Sequence, residues 1–160
     1  MRKSLSILSI SVLLFTAGCQ SSPEKFSPEQ ISALKSQGFE NNMDGWMLGL
    51  SEKLLFAKEK STLTPESKEA IKRIALSLTS VGLRHARMDG HTDNYGDNNY
   101  NQELSLKRAN AVADTYAKEA NIPRSNLTTQ GLGSQYPISS NKTSVGRAEN
   151  RRVSIVITAP

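Results

Sequence analysis

The sequence predicts an α+β domain of two layers, with helices packed on one face of a mixed sheet. Two observations predict it. Four short apolar segments that read as strands alternate with two stretches of helical period, in the order βαβαββ. Each helical stretch carries a single apolar stripe, which needs a second layer to cover it.

The elements follow in order along the chain. Residues 47–56 read as the first strand. Thr64 is a good N-cap and Pro65 suits the first helical position. Ile71, Ile74, Ala75 and Leu78 then recur at i, i+3, i+4 and i+7, and Gly82 closes that helix. Residues 84–91 read as a strand, with Ala86 and Met88 on one face and Arg87 and Asp89 on the other. Residues 101–120 form the second helix, with a buried stripe of Leu106, Ala109, Val112, Ala113, Tyr116 and Ala120, stopped by Pro123. Residues 127–133 and 152–158 supply the last two strands.

This places the folded domain at residues 46–160, with a linker and a short helix at 19–45. In the linker, Ser27 and Gln30 form a capping box, Pro28 sits at the first helical position, and Phe26 faces Ile31 across the helix start. Ile31 and Leu34 share a face, and Gly38 suits the stop. A helix of about eleven residues is marginal alone, so this one must pack on something or fray.

The first residues predict export. Arg2 and Lys3 precede an apolar run from Leu5 to Phe15, and small residues precede Cys19, the only cysteine. The run is shorter than the ~20 residues that a membrane-spanning helix needs. Thr16-Ala17-Gly18-Cys19 resembles a bacterial lipobox, with Thr16 where leucine is commonest. The resemblance implies that residues 1–18 are a cleaved signal peptide and that Cys19 carries acyl chains such as palmitate. Two or three chains, at ~0.8 kcal/mol per buried CH₂, hold a protein on a bilayer. Gln20 in place of aspartate after the cysteine implies sorting to the outer membrane, on its periplasmic face.

Composition narrows the function. The net charge of +5 falls to +3 without Arg2 and Lys3, and no Lys/Arg block is present, so nucleic acid is not an expected partner. Catalysis and metal binding are not expected either. The chain has two histidines, His85 and His91, and its cysteine is committed to the anchor. There is no nucleophile elbow and no phosphate-binding glycine loop. No cofactor is implied. A homodimer is compatible with the sequence.

Three segments stand apart from this pattern. They are Gly90-His91-Thr92-Asp93-Asn94-Tyr95-Gly96 at a strand end, Asn101-x-x-Leu104-Ser105-x-x-Arg108-Ala109 in the second helix, and Asn141-x4-Gly146-Arg147-x-x-Asn150-Arg151-Arg152-Val153 before the last strand. Asn101, Ser105 and Arg108 fall at i, i+4 and i+7, on a face expected to lie largely opposite the apolar stripe. Asp93 and Arg108 together could hold a zwitterion, the carboxylate taking an ammonium and the guanidinium a carboxylate. They could equally pair with each other.

In order and spacing, the three segments resemble the OmpA-like peptidoglycan-binding domain, shared by Pal and by the C-terminal domains of outer-membrane and flagellar stator proteins. The resemblance covers about residues 48–158. It implies non-covalent binding of peptidoglycan through diaminopimelate of the wall peptide, with Asp93 on its amine and Arg108 on its carboxylate. It extends the site to Asn101, Leu104, Thr92, Gly96 and Arg147, and to Glu59 where the family carries Asp or Asn. The segment Gln37-Gly38-Phe39-Glu40 with Asp44-Gly45-Trp46 is also similar to a family of signalling lipoproteins. There a small periplasmic inhibitor of a diguanylate cyclase is sequestered, raising cyclic-di-GMP. That likeness implies a partner surface anchored on Phe39 and Trp46. The alternative is a plain tether between outer membrane and cell wall.

Overall fold

The computed structural model of the protein describes residues 26–43, 45–57 and 61–159. The readings that fall on residues 1–25, Cys19 among them, and on Glu59 lie outside the described residues.

Five strands form one sheet in the order β1-β2-β5-β3-β4. They are β1 (Glu40–Asn42), β2 (Gly45–Ser51), β3 (Ala86–His91), β4 (Leu127–Gly131) and β5 (Arg152–Ile157). All neighbouring pairs are antiparallel except β3 and β4, which run parallel, so the sheet is mixed as expected. The two long helices, α3 (Pro65–Ser80) and α4 (Asn98–Ala120), pack together, and their stripes Ile71, Ile74, Ala75, Leu78 and Ala109, Val112, Ala113, Tyr116 join one core with Met88, Val153, Ile155 and Ile157. The order βαβαββ holds for the main elements. Four short pieces among the described residues were not anticipated: β1, the four-residue helix α2 (Glu52–Leu55), a 3₁₀ turn at Arg124–Asn126 and helix α5 (Ser144–Asn150).

Two glycines set how closely α4 lies on the sheet. A Cβ at Gly90 would sit 2.0 Å from the Ser105 carbonyl oxygen, and one at Gly131 would sit 2.5 Å from that of Gln102. Helix backbone therefore rests directly on β3 and β4, and no side chain fits between them. Ser105 secures the contact, its hydroxyl oxygen accepting from the Gly133 N–H at 3.0 Å.

The close seating corrects the helix reading. Leu106 is 40 % exposed, whereas Asn101, Ser105 and Arg108 are all buried. They do not lie opposite the apolar stripe but continue it toward the N-terminus of α4. The helix also begins three residues earlier than expected, on Asp97, whose side chain accepts from the Tyr100 N–H.

The N-terminal segment is part of the folded unit. Helix α1 (Pro28–Ser36) has the predicted capping box and Pro28. It ends in a Schellman-type turn, with Gly38 at φ 84° and the Phe39 N–H bonded to the Leu34 carbonyl. Leu34 is fully buried, and the Gln30 side-chain amide donates to the Val81 carbonyl at the end of α3. Phe39 and Trp46, expected as partner-surface anchors, are only 3 % and 6 % exposed. That expectation is corrected: β1 pairs with β2, which turns both rings into the core, and Phe26 meets Trp46 edge-on at 6.4 Å.

Phe39→Ala and Trp46→Ala should therefore each cost about 3–5 kcal/mol, as large buried aromatics do. Urea unfolding of both variants checks this; losses below ~1 kcal/mol would show that these rings are not core residues in solution.

Candidate functional site

The end of β3 and the start of α4 bring the predicted residues to one place. His91 closes the strand, and the Thr92 N–H bonds the Gly133 carbonyl at 2.9 Å, which anchors the loop that follows. Asp93 then folds back on that loop, one carboxylate oxygen accepting from the Tyr95 N–H at 3.0 Å. Asn101 fixes the loop from the helix side, donating from its side-chain amide to the Tyr95 carbonyl at 2.9 Å. Gly96, at φ 89°, lets the loop turn.

A cavity of about 780 Å³ opens over these elements. Thr92, Asp93, Asn101, Leu104 and Arg108, all expected as site residues, line it. Gly96 and Arg147 do not. Arg147 donates instead to the Asn141 carbonyl at 2.9 Å and braces its own loop. The reading of Arg147 as a ligand-binding residue is corrected on that ground: the short helix α5 carries its side chain to loop backbone.

Of the lining residues that sequence reasoning did not place in the site, two complete the electrostatics. Glu52 and Arg151 stand between Arg108 and Asp93. One Glu52 oxygen accepts from Arg108 Nη2, and the other lies 2.7 Å from Arg151 Nε. Arg151 Nη1 in turn donates to Asp93 at 2.7 Å. The result is one alternating chain, Arg108–Glu52–Arg151–Asp93. The two expected site residues thus do not pair with each other. Burial opposes the Arg151 charge, but bonding to Asp93 and the field of Glu52 outweigh it and hold the guanidinium protonated beyond its usual range. Arg108 is 4 % exposed and stacks over the Phe56 ring at 5.4 Å.

The third sequence motif holds Arg151 in position. Fully buried Asn150 accepts from the N–H groups of Ile138 and Ser139 and donates to the Ser139 carbonyl, stitching the loop before α5 to its C-terminus. Gly146 is required there because a Cβ would lie 2.1 Å from the Ser140 carbonyl oxygen. Arg152 donates to the Asn150 and Tyr136 carbonyls. These residues brace the site. The signal for Glu52 was available: Ser51 before Glu52 reads as a helix start, and Lys53-Leu54-Leu55 breaks strand alternation.

A family described as the OmpA family matches residues 55–151. The chain is 59 % identical over 155 residues to YfiB of Escherichia coli, covering 94 % of this chain and 97 % of that protein. It is 44 % identical over 157 residues to the outer-membrane lipoprotein YfiB of Pseudomonas aeruginosa, covering 97 % and 93 %. Among solved structures, the cell wall anchor of the type VI secretion system from Pseudomonas aeruginosa aligns with a TM-score of 0.69 at 27 % identity, covering 86 % of this chain and 99 % of that one.

His91, beneath the site, gives a pH signature. Burial, aided by the nearby Arg152 charge, lowers its pKa from 6.5 to about 4. The folded state thus keeps His91 neutral where the unfolded chain would protonate it. Its contribution is fully present above pH 6.5 and is lost as pH falls from 6.5 to 4, by at most about 1.4 kcal/mol per unit. Denaturation across this window should show a slope that His91→Asn flattens. An unchanged slope would contradict the assignment.

Proposed function

The chain belongs to the OmpA family, and from that premise we propose that it is an outer-membrane lipoprotein that binds the cell wall non-covalently, taking the diaminopimelate of the wall peptide at the Asp93–Arg108 cavity. The role is binding, not catalysis. One observation carries the reading: a carboxylate and a buried guanidinium from different elements line the same cavity. The distal end of diaminopimelate presents a free ammonium and a free carboxylate. Asp93 suits the ammonium, and the flat fork of Arg108 suits the carboxylate. The Cys19 anchor, if acylated, would hold this domain at the periplasmic face of the outer membrane.

A second, compatible reading is favoured by the extent of the YfiB match. It runs past residues 55–151 into the N-terminal segment. On that reading the lipoprotein also captures a small periplasmic inhibitor of a diguanylate cyclase. Phe39 and Trp46 then act by seating the segment in the core, not as exposed anchors. Overproduction in cells should raise cyclic-di-GMP; an unchanged level leaves the plain tether.

Co-sedimentation with isolated sacculi tests the wall site. Asp93→Asn and Arg108→Lys each lose a charge-assisted contact of ~1.5–3 kcal/mol, so binding should weaken roughly ten- to hundredfold. Lysine keeps a positive charge beside Glu52 and spares the fold. If both variants pellet like the parent protein, the site is wrong.

A further inference from the structure

The cavity is lined by a guanidinium whose hydrogen-bonding capacity is only partly used. Arg108 donates from Nη2 to Glu52, while its Nε is buried with no partner among the described residues. A planar guanidinium normally meets a carboxylate through two parallel bonds. Glu52 supplies only one, and its second oxygen is turned to Arg151 Nε at 2.7 Å. It is tied to Arg151 by its backbone as well, its N–H donating to the Arg151 carbonyl at 2.9 Å.

Glu52 is also the more accessible member of the pair. Its side chain is 20 % exposed, against 5 % for Arg108, and it stands at the first residue of a helix of only four residues. Rotation of the carboxylate would release Arg108 while leaving the other oxygen on Arg151. The displaced carboxylate would then not stand unpaired, which keeps the exchange inexpensive.

We propose that Glu52 is a built-in competitor for the carboxylate position on Arg108, occupying the guanidinium in the free protein until a ligand carboxylate takes its place with both parallel bonds. The proposal rests on the reading of the cavity as the wall-peptide site and adds what that reading lacks. Arg108 is charge-neutralised when the pocket is empty, the pocket's affinity is set below what Arg108 alone would give, and ligands without a carboxylate have no means to open it. A neutral polar ligand would leave Glu52 in place.

The test uses the full-length chain in detergent with two probes. By calorimetry, the tripeptide L-Ala-γ-D-Glu-meso-diaminopimelate should bind Glu52→Gln about tenfold more tightly than the parent protein, near the lower end of one charge-assisted hydrogen bond. Glu52→Asp, still charged but a methylene shorter, should lie between them, and it decides the matter if the glutamine variant fails to fold. Equal or weaker binding by these variants overturns the proposal. The second probe is sodium acetate against sodium chloride, read as a melting-temperature shift. Should the tripeptide bind neither protein, the wall-peptide reading fails, and acetate decides for Glu52 alone. A larger acetate-specific shift in the variant sustains the competitor role; equal shifts end it.

Discussion

Arg108 carries a full positive charge at 4 % exposure, on the same helical stripe that builds the core. A charge so placed is costly unless it is paired and hydrogen-bonded. Much of the local architecture answers that constraint. The strand β2 ends at Ser51 so that Glu52 can reach Arg108. Arg151 holds Glu52 by side chain and backbone. The clasp around Asn150 fixes the backbone that carries Arg151. Glycines at 90 and 131 let α4 approach the sheet closely enough to bury the guanidinium at all. The same features make a recognition site, since a guanidinium withheld from water binds a matching anion more strongly than an exposed one.

The regular elements were legible because they rest on local chemistry. The caps at Ser27 and Thr64, the prolines after them and the apolar period of α3 are all properties of a few adjacent residues. Strand β5 could be recognised for the same reason. The polar stripe of α4 was not. Asn101, Ser105 and Arg108 look like a solvated helix face until the glycine contacts are known, and those depend on residues far away in sequence. Asp93 and Arg108 were found through motif resemblance. Glu52 was overlooked because the first strand was read through to Phe56, whereas it ends at Ser51 and Glu52 opens a short helix. Arg151 and Arg147 lie four residues apart, and only the short helix α5 decides which one faces the cavity.

The N-terminal segment shows the same dependence on long-range packing. Phe39 and Trp46 have the composition of interface anchors, and aromatics serve cores and interfaces alike. Pairing of β1 with β2 settles the matter by turning them inward, where Leu34 joins them. The folded unit thus takes in α1 and β1, and β2 connects Trp46 at one end to the residue before Glu52 at the other. Core and site share a single strand.

In the proposed function, Arg108 receives the distal carboxylate of the wall peptide. That role is tested most directly by comparing two tripeptides that differ only in the third residue, meso-diaminopimelate or L-lysine. Both carry the side-chain ammonium, and only the first carries the distal carboxylate. The lysine peptide should bind roughly ten- to hundredfold more weakly to the parent protein. Arg108→Lys should narrow the difference. Equal affinity for the two peptides would rule out Arg108 as the receiver of that carboxylate.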